Sequence, residues 1–313
     1  MPAQFRTAAL VLGIVLLAAL PPIAIALDDP FYIDLFRRFM IFAIAAVSLN
    51  LILGYGGMVS FGHAAYLGIG GYAVGILSHY GIDNGFLQWG VAIGASALIA
   101  LAIGAVSIRT SGIYFIMITL AFTQMLFFLG ISIEEFGGDD GMSLATRSQF
   151  GDWVDLNDGI TFYYLVLAIL ILCMYIVHRI VNSRFGMVIR AAKSNEVRTR
   201  AIGFSPYPYK LTAFVIAGAM CGVAGALLVN NTAYLTPDFM HWTRSGEIMF
   251  MVILGGIGTT AGPLVGTVVL LLLEDILSGW TTRWQLYLGI FLVLVVLFAK
   301  RGLVGLFPGG KRD

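Results

Sequence analysis

The chain has 313 residues, 59% of them hydrophobic and 11% charged, with 38 glycines and a mean hydropathy of +0.92. Eighteen Lys+Arg and 17 Asp+Glu are too few to cover a soluble globule of this length, which excludes an ordinary soluble enzyme and makes lipid the main solvent. A net charge of +1 without long runs of like charge also excludes a strongly basic nucleic-acid binder.

A helix rises about 1.5 Å per residue, so a hydrocarbon core of about 30 Å takes roughly 20 apolar residues. Ten apolar segments occur in order, at 7–27, 39–54, 61–80, 87–108, 111–131, 160–179, 209–229, 244–258, 261–279 and 284–300. They predict an all-α, polytopic transmembrane bundle forming one domain over 1–313. The first has a rival reading as a secretory signal, on its string Ala24-Ile25-Ala26, but nine further apolar segments favour an uncleaved span. The second and eighth are short, and each ends in a glycine cluster, the pattern of a broken or re-entrant helix. Cys173 and Cys221 lie inside apolar runs, as small buried hydrophobes do.

With a cytoplasmic N-terminus and ten alternating spans, 13 of the 18 basic residues fall inside, and Arg37, Arg38, Arg147, Arg244 and Arg283 fall outside. The positive-inside rule therefore places both termini in the cytoplasm. Residues 132–159 become an external loop carrying Glu134, Glu135, Asp139, Asp140, Asp152, Asp155 and Asp158, and 182–209 the longest basic internal loop.

Glycines crowd the stretch from Gly54 to Gly75. They weaken a helix and free backbone groups that lipid cannot satisfy, so such backbone is buried in protein or lines a watery cavity. Close helix packing, especially by Gly68, Gly71 and Gly75, explains the same residues. Asn50, Ser60, His63 and Tyr66 add polar groups at the break. The string Leu254-Gly255-Gly256-Ile257-Gly258 echoes Leu53-Gly54-Tyr55-Gly56-Gly57 after a second short segment. Paired discontinuous helices of this kind point to a translocation pathway.

In the internal loop Phe185, Val188, Ile189, Ala192, Val197, Ala201 and Ile202 recur at helical spacing among Arg184, Arg190, Lys193, Glu196, Arg198 and Arg200. Gly203 is the stop, and Pro206 and Pro208 block continuation. One amphipathic helix from Arg184 to Ile202 is expected on the cytoplasmic face, either lying on lipid headgroups or docking a soluble partner.

The stretches Leu49-Asn50-Leu51-Ile52-Leu53-Gly54-Tyr55-Gly56-Gly57 and Ser60-Phe61-Gly62-His63-Ala64-Ala65 resemble the signature of LivM-type permease subunits of branched-chain amino-acid ABC importers. So do Gly112-Ile113-Tyr114-Phe115 with Thr119-Leu120, Arg184-Phe185-Gly186 with Arg190-Ala191 and Asn195-Glu196, and Met251 to Gly258 with Gly262-Pro263. The blocks follow family order from about residue 40 onward. The resemblance implies a non-enzymatic, multi-pass subunit of a bacterial inner membrane, paired with a LivH-type permease. It implies two cytoplasmic ATPases, which bind the ATP so that this chain needs no cofactor, and a periplasmic binding protein that delivers a branched-chain or other hydrophobic amino acid. It maps the ATPase-coupling site onto Glu196 and Gly203, on a helix that also carries Arg184, Arg190, Lys193 and Arg198. Many relatives have small residues after the glutamate where this chain has Val197-Arg198-Thr199-Arg200.

Two other readings stay open. The resemblance also extends to permeases associated with urea, short amides or other amino acids, and an ion-coupled secondary transporter or channel would carry ionisable groups deep in its spans. Glu247 is the best such group, with cap, pathway and Arg244-pairing roles all available; Glu274 and Asp275 sit near the external end of the ninth segment. Thr119 and Gln124 join Asn50, Gly54, Gly57, Ser60, His63, Tyr66, Glu247, Gly255 and Gly258 as pathway candidates. No catalytic arrangement or metal-ligand spacing is visible, and the string from Gly305 to Lys311 lacks the Ser/Thr and the helix of a phosphate loop.

Overall fold

The structure is a computed structural model that describes residues 3–26, 30–151, 154–298 and 302–306, with the backbone alone for 3–12, 26, 296 and 306. The side chain of Arg6, with Asp152, Lys300, Arg301, Lys311 and Arg312, lies outside the described residues, as does the phosphate-loop-like string beyond Leu306. Each apolar segment is a helix. In order these are α1 (Ala3–Ala26), α2 (Phe31–Asn50) continued by a π-helical turn (Leu51–Tyr55), α3 (His63–His79), α4 (Gly85–Ser107), α5 (Ile113–Ser132) and α6 (Gly159–Val181). Two short helices follow, α7 (Arg184–Ser194) and α8 (Glu196–Ala201), and then α9 (Pro206–Thr232), α10 (Trp242–Gly255), α11 (Gly262–Trp280), α12 (Trp284–Phe298) and the single turn α13 (Gly302–Leu306). Strands β1 (Met142–Ser143) and β2 (Tyr234–Leu235) pair antiparallel. Among the described residues, six helices are long and apolar enough to cross a membrane.

The second segment corrects the sequence reading. It is a 25-residue run from Phe31 to Tyr55, long enough for a full span, and it forms the buried axis against which α6, α9, α10 and α11 pack. Arg37 and Arg38 made the segment look short because they read as loop residues. Arg37 is instead inside α2 and 3% exposed, its guanidinium donating to Asp34, Asn231 and the Gly159 carbonyl and lying 4.6 Å over the Phe162 ring. A buried cation with that many partners is a clamp between α2, α6 and α9 rather than a topology signal.

Helix α1 contains Pro21 and Pro22. Neither has an N–H, so the carbonyls of Leu17 and Ala18, four residues back, lose their helical donors. The hydroxyls of Tyr163 and Tyr164 on α6 supply replacements at 2.8 and 3.1 Å. We expect the double variant Tyr163→Phe/Tyr164→Phe to weaken the seat of α1 by about 1 kcal/mol per bond, read as faster proteolysis of the N-terminal segment with the rest of the bundle intact.

Helices α3 and α9 cross with backbone against backbone. A Cβ on Gly70 would strike the Gly222 carbonyl, and one on Gly225 the Leu67 carbonyl. Gly68, Gly71 and Gly75 likewise make room for Met240, Val229 and Leu235. Packing therefore accounts for the glycines of α3, and the break is confined to residues 56–62. One end of the bundle gathers Gly54, Lys193, Gly258 and Gly302; the β1–β2 pair and the Asn84–Gln149 bridge lie in connecting loops toward the other.

Candidate functional site

The two glycine turns meet. Asn50, 1% exposed in the last turn of α2, accepts from the Gly258 N–H at 3.0 Å and donates to the Thr259 carbonyl at 2.9 Å. Both turns are tight because they lack side chains: a Cβ on Gly54 would stand 2.7 Å from the Gly258 nitrogen and collide with the Asn50 amide. Thr259 closes the second turn, donating to the Gly256 carbonyl at 2.9 Å and accepting from Gly262 N–H at 3.0 Å. Gly255 lies against the Gly262 backbone, so the chain reverses from α10 into α11 at this point. The π-helical turn before Gly56 is the rarer helix geometry that tends to mark functional sites.

From Gly57, at φ +70°, the chain leaves helix and runs to His63 beside α5 and α10. Its backbone groups are held by hydroxyls. Phe61 N–H donates to Thr119 Oγ1 at 3.2 Å, and the Phe61 carbonyl accepts from Thr123 at 3.0 Å and Ser245 at 2.7 Å. Ser245 also accepts from Ala64 N–H at 2.9 Å, and Ser60 from Gly62 N–H at 3.0 Å. Non-helical backbone at membrane depth needs such partners, because lipid offers none. His63 is buried, with Nε2 3.1 Å from Ser48 Oγ. The Ser48 hydroxyl donates to the Ala45 carbonyl at 2.7 Å, so it accepts from Nε2–H and leaves Nδ1 an acceptor. Among the described residues that Nδ1, the Tyr66 hydroxyl and Gln124 Oε1 are buried with no hydrogen-bond partner.

Asn50, Gly54, Gly255 and Gly258 thus form one junction, and Ser60, His63, Tyr66 and Thr119 line the break beside it. Gln124 lies further along α5. Sequence reasoning missed Ser48, which orients the His63 ring, and Thr123, Ser245 and Thr259, small hydroxyls that satisfy broken backbone. The four-residue spacing of Thr119 and Thr123 was the available signal.

A group of charges lies on the α2–α10–α11 face. Glu247 pairs with Arg244 at 2.8 Å, one of the roles left open for it, and Arg38 approaches Glu274 at 3.7 Å. Arg38 stands seven residues from the start of α2 and Glu274 six from the end of α11, so both are about 10 Å inside the helix ends. All four side chains are partly exposed. Charges at that depth cost up to about 2.5–3.5 kcal/mol each against lipid, so this face borders water or another protein.

The internal loop is two helices where the sequence reading has one. Asn195 breaks it, turning extended and capping α8 by accepting from Arg198 N–H at 2.9 Å. The apolar stripe divides accordingly: Val188, Ile189 and Ala192 are buried, whereas Val197 and Ile202 are 77% and 66% exposed. Gly203, at φ +93°, ends α8 in a Schellman motif, with Phe204 N–H bonded to Thr199 O and Gly203 N–H to Arg200 O. Arg184, Arg198 and Arg200 are exposed and Arg190 is half-buried. Lys193 is exposed too, but its ammonium reaches back to the π-helical turn and donates to the Gly54 carbonyl.

Glu196 is held by Arg200 at 2.7 Å and Lys210 at 2.5 Å. Partial burial pushes its carboxyl up, but the hydrogen bonds and charges of Lys210 and Arg200 together outweigh this and leave it below its ordinary value. A carboxylate lowered in the folded state stabilises above its unfolded value and loses that contribution as pH falls through the folded one. The stability difference between wild type and Glu196→Gln should therefore stay constant from neutral pH down to about 4.3 and shrink below it. Thermal unfolding across that range checks this.

A family model described as the permease component of branched-chain amino acid transport systems matches residues 31–299. The chain belongs to this family. It is 27% identical over 296 residues to the high-affinity branched-chain amino acid transport system permease protein LivM of Salmonella typhimurium, covering 87% of this chain and 69% of that protein. Against LivM of Escherichia coli the identity is 26%, with the same coverage. It is also 26% identical to LivH of Escherichia coli, over 84% of this chain and 91% of that one. No solved structure matches. As a member of a transport-permease family with several membrane-length apolar helices, the chain is a multi-pass membrane protein. The family match spans α2 to α12, and so contains both glycine turns, the loop between α6 and α9, and the charged face.

Proposed function

We propose that this chain is one of two membrane-spanning subunits of an ATP-binding-cassette importer, carrying branched-chain or other hydrophobic amino acids across a bacterial inner membrane and catalysing no reaction itself. Similarity to both LivM and LivH supports pairing with a second, related permease. The observation that carries the reading is the junction of two glycine turns at Asn50, set against a basic helix pair with exposed apolar residues. That is a breakable closure beside a docking surface. Of two cytoplasmic ATPases, one would seat on α8 and the outer side of α7, using Val197, Ile202, Arg184, Arg190, Arg198 and the Glu196–Gly203 turn, and the other on the second permease. ATP belongs to those subunits. A periplasmic binding protein would deliver substrate at the opposite end, beside residues 132–159.

Orientation follows from charge. With Arg37 and Arg38 reassigned to α2 and Arg244 to α10, the connections on the Lys193 side hold Arg109, Arg184, Arg190, Lys193, Arg198 and Arg200, against Arg147 and Arg283 on the other side. This excess supports cytoplasmic termini. Alternating access would part the Asn50 junction inward when ATPase closure moves the α7–α8 pair, with the pathway between the two permeases. An ion-coupled transporter is disfavoured because Glu247, its best proton carrier, is engaged by Arg244.

Purification of the chain from its native membrane tests the assignment. A second permease and ATP-hydrolysing subunits in the isolated complex are expected, and a chain isolated intact without any ATPase would overturn it.

A further inference from the structure

The residue that joins the basic loop to the junction is Lys193. It lies on α7, in the loop that the sequence reading treats as an outward docking surface, yet its ammonium donates to the Gly54 carbonyl. That carbonyl belongs to the π-helical turn at the end of α2, where main-chain oxygens lack helical donors and the helix dipole favours a cation. The stem of the side chain is fitted as well. Gly57 takes a positive φ and has no side chain, and a Cβ there would stand 2.8 Å from Lys193 Cγ. Gly54 in turn abuts Gly258 and the Asn50 amide that ties α2 to the α10–α11 turn. The terminal turn α13 closes the row, with Gly302 against the Gly256 backbone.

An unbroken series of contacts therefore runs from α7 through Lys193, Gly54 and Asn50 to Gly258 and Thr259. It gives the basic loop a polar connection to both glycine turns. The inner face of α7 is fixed in addition by the burial of Val188, Ile189 and Ala192, so displacement of α7 moves Lys193 with it. Asn50 has a single carboxamide for both Gly258 and Thr259, and a shift of the Gly54 backbone against it disturbs both bonds at once.

We propose that Lys193 is a positioning residue that transmits movement of α7 to the Asn50 junction, so that the two glycine turns part or close in step with the partner that moves the loop. This rests on the reading of the chain as an ATPase-driven permease. Lys193 acts through Gly54 and touches no substrate. It is a different role from docking: a docking lysine holds the ATPase, whereas a transmitting lysine converts ATPase movement into opening.

The test uses the complete transporter, purified with its native partners and reconstituted in lipid vesicles. Uptake and ATP hydrolysis are measured together for wild type, Lys193→Met, which keeps the stem without the ammonium, and Lys193→Arg, which keeps a cationic donor. Lys193→Met should retain its ATPases and continue to hydrolyse ATP while uptake per ATP falls at least tenfold; Lys193→Arg should recover most of the loss. Unchanged uptake per ATP in Lys193→Met would overturn transmission, and so would release of the ATPases from that variant, which would make Lys193 a docking contact. Lys193→Gln, an uncharged donor of similar length, is run alongside; failure of both neutral variants to insert would mark Lys193 as a structural staple and also overturn the proposal. Absence of an ATPase from the wild-type preparation is a different failure, that of the importer reading, and is visible before any variant is made.

Discussion

Replacing Asn50 with leucine is expected to abolish uptake and destabilise the bundle together. The substitution leaves the Gly258 N–H and the Thr259 carbonyl without their partner in a site that is 1% exposed at its centre. Each buried polar group so orphaned costs about 1–3 kcal/mol. The branched side chain also has no room, since Gly54 lacks a Cβ in order to admit the existing amide. Thermal unfolding in detergent and uptake of labelled leucine by cells read the two effects. A loss of uptake without any loss of stability would show that Asn50 serves the pathway and not the junction; unchanged values for both would remove the junction from the account.

The second large effect is expected at the crossing of α3 and α9. In Gly225→Ala the new methyl group meets the Leu67 carbonyl carbon at 2.8 Å and the Gly71 nitrogen at 3.0 Å, and closer still the carbonyl oxygen. All three are main-chain atoms of α3, so no rotamer change relieves the clash and the helices must separate. Overpacking costs about 1–3 kcal/mol even where side chains can adjust, and here the loss should exceed that. Gly94→Ala is the matched control. It lies inside α4 with nothing within 4 Å of the new methyl group, and should stabilise slightly, by up to about 1 kcal/mol, through helix propensity. The difference in melting temperature and in folded yield between the two variants measures the crossing directly.

The spans were legible because lipid demands long apolar helices, and ten segments read from hydropathy are ten helices. Their ends were less legible. Arg37 hid eight residues of α2, because its charge is paired with Asp34 and its guanidinium is further held by Asn231, which is distant in sequence. The glycine echo was visible as a pattern, but its meaning depended on the two turns touching, which only the packing of α2 against α10 and α11 supplies. Lys193 could not be told from its basic neighbours, since the direction of a side chain on a short helix is set by where the helix sits. Asn195 was hidden in the same way: an asparagine between two helical runs is a cap only once the backbone there is extended. Hydroxyls such as Thr123 and Ser245 carry no hydropathy signal and became informative through the backbone they hold.

The central proposal is that ATP hydrolysis by partner subunits docked on the α7–α8 loop drives an amino acid through this chain and a second permease. The most direct measurement is uptake of labelled leucine into vesicles containing the purified complex and its binding protein, with ATP supplied on the side of that loop. Uptake that requires hydrolysable ATP and persists when proton and sodium gradients are collapsed is the predicted result. Uptake driven by an ion gradient without ATP would contradict it.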